Sequence, residues 1–434
     1  MNYYETLEFL FSKIPAYHRI GKAAYRDNLD NTISLDNHLG NPHKKFRTIH
    51  VAGTNGKGSV SHILASVLQE AGFKTGLYTS PHLIDFRERI RINGAMIPEE
   101  NVTRFIEANK EVLKSVKPSF FEMTVAMAFG YFADEKVDVA VIETGLGGRL
   151  DSTNIIDPVL SVITNIGHDH MDLLGDTLEK VAIEKAGIIK KNKPVVIGET
   201  DETTKGVFLH KAQISGSGIL FADERYFCIL DEYDQVSEGR RYEIKDLESN
   251  YKLAGTILLS GDYQQKNLIT VYGALSILKS ELKISEKNII DGIMKVRINT
   301  GLSGRWQVIS RNPLVICDTG HNKEGLEYVT RQLGKIKRAK LHVVIGFVND
   351  KDTDLVLPLL PADAIYYFSK ASVPRAMDEV LLMQKASQYS LQGHSYADVS
   401  SAIQKAMNSV QPDDVVFIGG STFVVADALK FFEE

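Results

Sequence analysis

Cysteine is nearly absent: Cys228 and Cys317 are the only two in 434 residues. That excludes a disulfide scaffold and a cysteine-rich zinc site. A basic excess is also missing. Lys and Arg total 50 against 55 Asp and Glu, giving a formal net charge of −5, so no nucleic-acid partner is expected. No apolar run approaches the roughly 20 residues of a membrane span, so no membrane partner is expected either. The opening MNYYETLEFLF carries acid where a secretory leader carries base. Internal repeats, low-complexity tracts and heptad arrays are lacking. What is there is an ordinary globular composition, 44% hydrophobic and 24% charged. It points to a soluble, cytoplasmic chain of two to four domains. No exposed apolar helix asks for a partner, so a monomer is expected.

Short β-branched runs alternate with amphipathic stretches. Residues 48–52, 137–142, 159–164 and 194–197 predict buried parallel strands of an α/β sheet. Val60, Ile63, Leu64, Val67 and Leu68 follow one helical face, and Gly72 stands where a helix C-terminal glycine belongs. Residues 222–262, crowded with Tyr and charged side chains, read as solvated β-hairpins at the sheet edge. A second α/β series, with strands at 314–317, 341–345, 364–368 and 415–418, follows the loop 299–305. The predicted division is residues 1–296, a linker at 297–304, and residues 305–434.

The sharpest local signal is Gly53-Thr54-Asn55-Gly56-Lys57-Gly58-Ser59, set between a predicted strand and a predicted helix. Glycines let backbone N–H groups curl inward around a phosphate, and the helix N-terminus adds partial positive charge. Lys57 would reach the β- and γ-phosphates, and the Ser59 hydroxyl can coordinate Mg2+. Two residues rather than four separate the first glycines, a departure from the standard Walker spacing. Glu143 ends an apolar strand ahead of a glycine turn, a place where a carboxylate can hold Mg2+. Gly167-His168-Asp169-His170 follows another strand and offers either histidine to a metal or to a polar loop. Lys185 lies on the next helix, with apolar neighbours as the hint that it is buried.

Together these motifs resemble folylpolyglutamate synthase and dihydrofolate synthase, members of the Mur ligase superfamily. The resemblance runs through Ser80-Pro81-His82, Arg87-Glu88-Arg89, residues 143–154, His168-Asp169-His170 and Glu184-Lys185. It continues through Gly304-Arg305, Asp318-Thr319-Gly320-His321, Asp350-Lys351-Asp352 and Gly420-Ser421. It implies a phosphate-loop ATPase domain with a mostly parallel sheet plus a smaller Rossmann-like α/β domain. The implied reaction is phosphorylation of a pterin carboxylate by ATP, attack by the amine of L-glutamate, and collapse of a tetrahedral intermediate to an amide. Dihydropteroate, a reduced folate or both would be the acceptor, and the glycine–Arg149-Leu150-Asp151 run looks closer to the bifunctional pattern.

The resemblance also assigns roles. Residues 53–59 would cradle ATP, with Ser59 and Glu143 on a first Mg2+. His170 would hold a second Mg2+ with Glu143 and Lys185, the lysine being carbamylated. Asn267 and Arg305 look like nucleotide contacts, and Asp318 and His321 match an inter-domain motif near nucleotide and glutamate. Ser421 is a glutamate-side candidate, Ser80, Pro81 and His82 border the folate site, and Asp151 matches a position near the pterin. Tyr263 stands where the family commonly has His, and Lys323 replaces a common proline. The alternatives are a monofunctional folylpolyglutamate synthase, a cell-wall Mur ligase, which usually carries an extra domain before the phosphate loop, and a non-catalytic nucleotide-binding relative.

Overall fold

The computed structural model describes residues 1–13, 28–169, 171–235, 239–349 and 353–433. His170 and the 350–352 motif therefore lie outside the described residues. Two helices, α1 (Tyr3–Lys13) and α2 (Asp30–His38), precede the first strand. Eight strands then form one sheet: β1 (Arg47–Ala52), β2 (Thr75–Tyr78), β3 (Ile90–Ile92), β4 (Ala95–Met96), β5 (Val139–Glu143), β6 (Leu160–Ile163), β7 (Val195–Ile197) and β8 (Ile219–Phe221). Their order is β4-β3-β2-β5-β1-β6-β7-β8. All neighbouring pairs are parallel except β2 with β3 and β3 with β4, and β1 lies between β5 and β6. The four predicted strands of this half appear as β1, β5, β6 and β7. Every residue of β5, β6 and β7 is buried, as expected of strands covered on both faces.

Helix α3 (Lys57–Glu70) follows β1 and buries the predicted face, with Val60, Ile63, Leu64, Val67 and Leu68 all at 0% exposure. It ends as the sequence suggests: Gly72 N donates to Gln69 O at 2.9 Å and Phe73 N to Leu68 O at 3.1 Å. Further covering helices are α4 (Phe120–Asp134), α5 (Leu178–Ala186), α6 (Gln264–Glu281) and α7 (Glu286–Met294).

The segment 222–262 departs from expectation. Its strands β9 (Tyr226–Leu230), β10 (Arg240–Asp246) and β11 (Lys252–Ile257) are antiparallel, yet they form their own three-stranded sheet rather than an edge of the large one. One face is far from solvated: Tyr226, Cys228, Tyr242, Ile244, Leu253 and Ile257 join the core that also holds α3, α6 and α7. Alternation explains this: Tyr242 and Ile244 of β10 turn inward between Arg241, Glu243 and Lys245, and Tyr226 and Cys228 of β9 turn inward beside the exposed Phe227 and Ile229.

Part of the expected linker is helical, as α8 (Val296–Thr300). The third sheet has strands β12 (Gln307–Arg311), β13 (Leu314–Cys317), β14 (Leu341–Ile345), β15 (Ile365–Ser369), β16 (Gln392–Tyr396) and β17 (Val415–Gly419), in the order β12-β13-β17-β14-β15-β16. All pairs are parallel except β12 with β13. Helices α9 (Lys323–Lys335) and α10 (Thr422–Glu433) follow β13 and β17. Among the described residues no helix is long and apolar enough to cross a membrane.

Candidate active site

The central strands carry the site. Register pairs Val51 of β1 with Glu143 of β5, and Ala52 of β1 with Ile163 of β6. The loop starting at Gly53, the end of β5 and Thr164 therefore emerge side by side at the carboxyl edge of the sheet, where open α/β folds bind ligands. Gly53 has φ +147°, and a Cβ there would lie 1.8 Å from Thr164 Oγ1. Gly56 has φ +84°, and its Cβ would lie 2.3 Å from Asn267 Oδ1. Only glycine fits at either place, so the curl of the loop is dictated by composition and by close packing. Thr164 Oγ1 donates to Asn55 O at 2.5 Å, and Asn165 Oδ1 accepts from Asn55 N at 2.9 Å, fixing the loop from the β6 side.

Two lysines converge on one carbonyl. Lys57 Nζ donates to Gly53 O at 2.9 Å and to Thr54 O at 3.2 Å, and Lys185 Nζ donates to Gly53 O at 2.8 Å. Lys185 sits at 3% exposure on α5. Burial first, and then the neighbouring charge of Lys57, hold its amine well below the usual lysine range. A neutral amine is a nucleophile and can add CO2, whereas an ammonium cannot.

Glu143, at 3% exposure, accepts from Ser80 N at 3.1 Å. Burial pushes its carboxyl up, while Lys57, the Ser80 N–H, Arg305 and Arg89 pull it back toward the ionised form. A Cβ on Gly58 would lie 3.5 Å from the Arg305 guanidinium and 3.9 Å from Glu143, so these two opposite charges flank the start of α3. Ser59 Oγ accepts from Gln264 Nε2 at 3.3 Å, and Gln264 Oε1 accepts from Asn267 Nδ2 at 2.8 Å. The hard-oxygen pair of Ser59 and Glu143, beside a phosphate loop, fits Mg2+, which takes only one or two protein oxygens alongside phosphate and water. Among the described residues no three His, Cys, Asp or Glu groups gather as a separate metal cluster.

The C-terminal half closes over this edge. Gly58, Ser80, Glu143, Arg305, Thr319 and Thr422 line one cavity of about 60 Å3. Arg305 is presented by an unusual backbone: the next residue, Trp306, has φ +44° despite its bulk and is 1% exposed. Trp306 N donates to Asp318 Oδ2 at 2.7 Å, and the same oxygen accepts from Tyr263 OH at 2.6 Å. Asp318 Oδ1 accepts from Gly320 N at 2.7 Å. Burial raises the Asp318 carboxyl, and the Tyr263 hydrogen bond and Arg305 oppose that rise. His321 Nδ1 donates to Thr319 O at 3.0 Å, and its Nε2 faces Asp169 at 3.5 Å.

Other expected residues have additional or different surroundings. The Asp151 carboxylate accepts from Gly145 N, Leu146 N, Thr153 N and Thr153 Oγ1, which ties the glycine turn after β5 into shape. His82 Nδ1 accepts from Arg89 Nε at 2.7 Å, and its ring packs near Phe11 and Phe86. Pro81 lines the cavity, whereas Ser421 is buried and its Oγ accepts from Val424 N at 3.2 Å, capping α10. Thr164 and Gln264 carry no role in the sequence reading, and Asn322 enters it only as the last residue of the matching 318–322 motif. Asn322 Nδ2 donates to Asn55 Oδ1 at 3.0 Å. Its one sequence signal is the place directly after His321.

Family models agree with this architecture. The Mur ligase middle domain matches residues 51–275, and the Mur ligase glutamate ligase domain matches residues 304–422. The dihydrofolate synthase/folylpolyglutamate synthase of Bacillus subtilis is 34% identical, the alignment covering 94% of this chain and 96% of that protein. The folylpolyglutamate synthase of Lacticaseibacillus casei is 33% identical over 98% of this chain and 97% of its own length. E. coli FolC, solved in complex with DHPP and ADP, superposes with a TM-score of 0.85 at 29% identity, covering 100% of this chain and 98% of that one. A bifunctional folylpolyglutamate synthase/dihydrofolate synthase, solved with Mn, AMPPNP and L-glutamate bound, gives a TM-score of 0.83 at 27% identity, covering 100% of this chain and 98% of that one. The phosphate loop, its acidic and basic partners and these full-length matches lead to one conclusion: the chain belongs to the dihydrofolate synthase/folylpolyglutamate synthase family of Mur ligases.

Proposed function

We propose that the protein is an ATP-dependent amide ligase that joins L-glutamate to the carboxylate of a pterin or folate through an acyl phosphate, accepting both dihydropteroate and reduced folate. The observation that carries this reading is the convergence of Lys57, Glu143, Lys185 and Arg305 on one phosphate loop beneath the C-terminal half. A carboxylate is a poor acyl donor because its leaving group would be oxide. Phosphorylation supplies a better one, and the work left to the protein is positioning and charge neutralisation.

The loop amides and Lys57 hold the β- and γ-phosphates, and Arg305 offsets charge from the opposite side. Lys57 must leave the carbonyls of Gly53 and Thr54 to do so, which frees the loop to wrap the nucleotide. Asn267 and Asp318 contact the nucleotide side, while Ser80, Pro81, His82 and Asp151 shape the acceptor side. Asp151 acts there through the turn it braces. His321 and Ser421 stand on the side from which glutamate arrives. Ser59 and Glu143 would hold one Mg2+, and Glu143, His170 and Lys185 a second. Such ions supply charge compensation for phosphoryl transfer. For Lys185 to serve as a ligand it must be carbamylated, since an ammonium offers no lone pair. Its burial and its depressed proton affinity favour that modification. Native mass spectrometry showing an unmodified Lys185 with both metals bound would dismiss it.

Residues 1–296 and 305–434 act as the two working halves about the junction at 297–304, in a monomeric cytoplasmic enzyme. The deciding assay supplies ATP, Mg2+ and L-glutamate with dihydropteroate in one arm and tetrahydrofolate in the other. ADP release and product formation are expected in both. Product in one arm alone would replace the bifunctional reading with a monofunctional one, and ATP binding without turnover in either would indicate a non-catalytic relative.

A further inference from the structure

Helix α9 touches the phosphate-loop half at both of its ends, and the two contacts differ in kind. Gln332, near the C-terminal end, is 1% exposed. Its Nε2 donates to Ser260 O at 2.9 Å and its Oε1 accepts from Asp262 N at 2.7 Å. A buried amide persists only when both of its groups are paired, so this two-pronged grip is a fixed joint. The loop it grips is itself held. Arg240 Nη1 donates to Ser260 O at 2.9 Å and to Asp262 Oδ1 at 2.8 Å, and Lys335 Nζ reaches Asp262 Oδ2 at 3.1 Å. Residue 262 lies two positions before α6, the helix whose Gln264 reaches Ser59 and whose Asn267 packs on Gly56.

The N-terminal end meets the phosphate loop instead. Asn322 Oδ1 caps α9 by accepting from Gly325 N at 2.9 Å, while its Nδ2 donates to Asn55 Oδ1 at 3.0 Å. One side chain thus ties the start of the helix to the phosphate loop. Glu324 Oε1 accepts from His168 N at 3.3 Å, and Glu324 Oε2 is buried with no hydrogen-bond partner among the described residues. His321, one residue before the cap, faces Asp169. Three neighbouring positions on one half therefore meet the phosphate loop and residues 168 and 169 of the other.

We propose that α9 couples the amino-acid side to the nucleotide side, pivoting on Gln332 and seating through Asn322 and Glu324, which are positioning residues for the phosphate loop and for His168 and Asp169. The proposal rests on the ligase reading given above. A ligand that draws the C-terminal half inward seats the N-terminal turn of α9 and orders the loop in advance for the nucleotide. By linkage the nucleotide then tightens the amino-acid site by the same factor.

The test is calorimetric titration of the full chain with AMPPNP and Mg2+, with and without saturating L-glutamate. Wild type is expected to bind AMPPNP at least about 5-fold more tightly with glutamate present. Asn322→Asp keeps an acceptor for the helix cap but turns a second acceptor toward Asn55. Glu324→Ala removes the acceptor for His168 N. In each the glutamate-dependent gain, read as the ratio of AMPPNP affinities with and without glutamate, is expected to fall about 5-fold, roughly the worth of one net hydrogen bond. Glu324→Gln retains an oxygen at the same place and is expected to restore the gain. Unfolding midpoints recorded in parallel separate a folding defect from lost coupling, because a merely structural role would lower the midpoint and leave the gain intact. A wild-type protein without any gain, or variants that keep it in full, would overturn the proposal. A wild type that makes no ADP with folate substrate and glutamate would instead overturn the ligase reading beneath it.

Discussion

Lys57 shows how one residue can serve two arrangements of the same loop. Its ammonium spans the carbonyls of Gly53 and Thr54, and under the proposed function the same reach would carry it to a phosphate. Lys57→Ala should therefore lower turnover at least about 100-fold while leaving the unfolding midpoint near that of wild type, because the side chain supports charge rather than core packing. Steady-state kinetics and thermal denaturation would check both halves of that statement. Buried histidines give a prediction of another kind. His50 and His62 are pushed down to about 3 from an ordinary 6.5, first by burial and then by Lys190 in one case and by Arg91 and Arg305 in the other. The folded state refuses protons that the unfolded chain accepts between these values. The stabilising effect is therefore complete above 6.5 and is lost as pH falls toward 3. At pH 5 each histidine should cost about 2 kcal/mol relative to neutral pH. His50→Asn and His62→Asn should each shrink the acid-induced loss by that amount in urea titrations at pH 7.5 and 5.

At the level of elements, two glycines on exposed and buried helix faces make opposite predictions. Gly292 of α7 lies against α3, where an added Cβ would sit 2.5 Å from Val67 Cα. Ser66 Oγ also donates to Gly292 O at 2.6 Å, so the helices cannot ease apart without losing that bond. Gly292→Ala should destabilise by about 1–3 kcal/mol through overpacking. Gly334 of α9 has nothing within 4 Å of its would-be Cβ. Gly334→Ala should stabilise by roughly 0.5–1 kcal/mol through helix propensity. Chemical denaturation of the two variants reads both.

The same contrast between buried and exposed faces governs what sequence could reveal. β1, β5, β6, β7, β13, β14, β15 and β17 are central or doubly covered and announce themselves as β-branched runs. β16, with the sequence Gln392-Gly393-His394-Ser395-Tyr396, is an edge strand with no such need, and β10 hides a buried face behind charged alternate residues. For the site, residues adjacent along a loop were readable, from Gly53 to Ser59 and from Glu143 onward. Thr164 on Gly53, Gln264 on Ser59 and Asn322 on Asn55 were not, because each pairing joins segments more than a hundred residues apart through the sheet order or across the two halves.

For the whole molecule, charge must be local to matter. The chain carries a net −5 and its proposed substrates are themselves anionic, so the global field repels them. At physiological salt, screening confines surface charges to about 8 Å. Glu111 is an exposed residue paired with Lys114, and Glu111→Lys changes the net charge from −5 to −3. It should leave kcat/KM for ATP within about 2-fold of wild type. Arg305→Gln makes the net charge only one unit more negative, yet should lower kcat/KM at least about 100-fold.

The chain has a single tryptophan, and it is Trp306, buried between Arg305 and the Asp318 carboxylate at the junction of the halves. Its ring lies edge-on to Tyr233 at 6.0 Å. Emission excited at the red edge of protein absorption therefore comes from one place, the residue directly after Arg305. The wild-type protein is its own optical sensor. A nucleotide titration followed at that wavelength reports the junction without a dye, an added label or a background from any second indole.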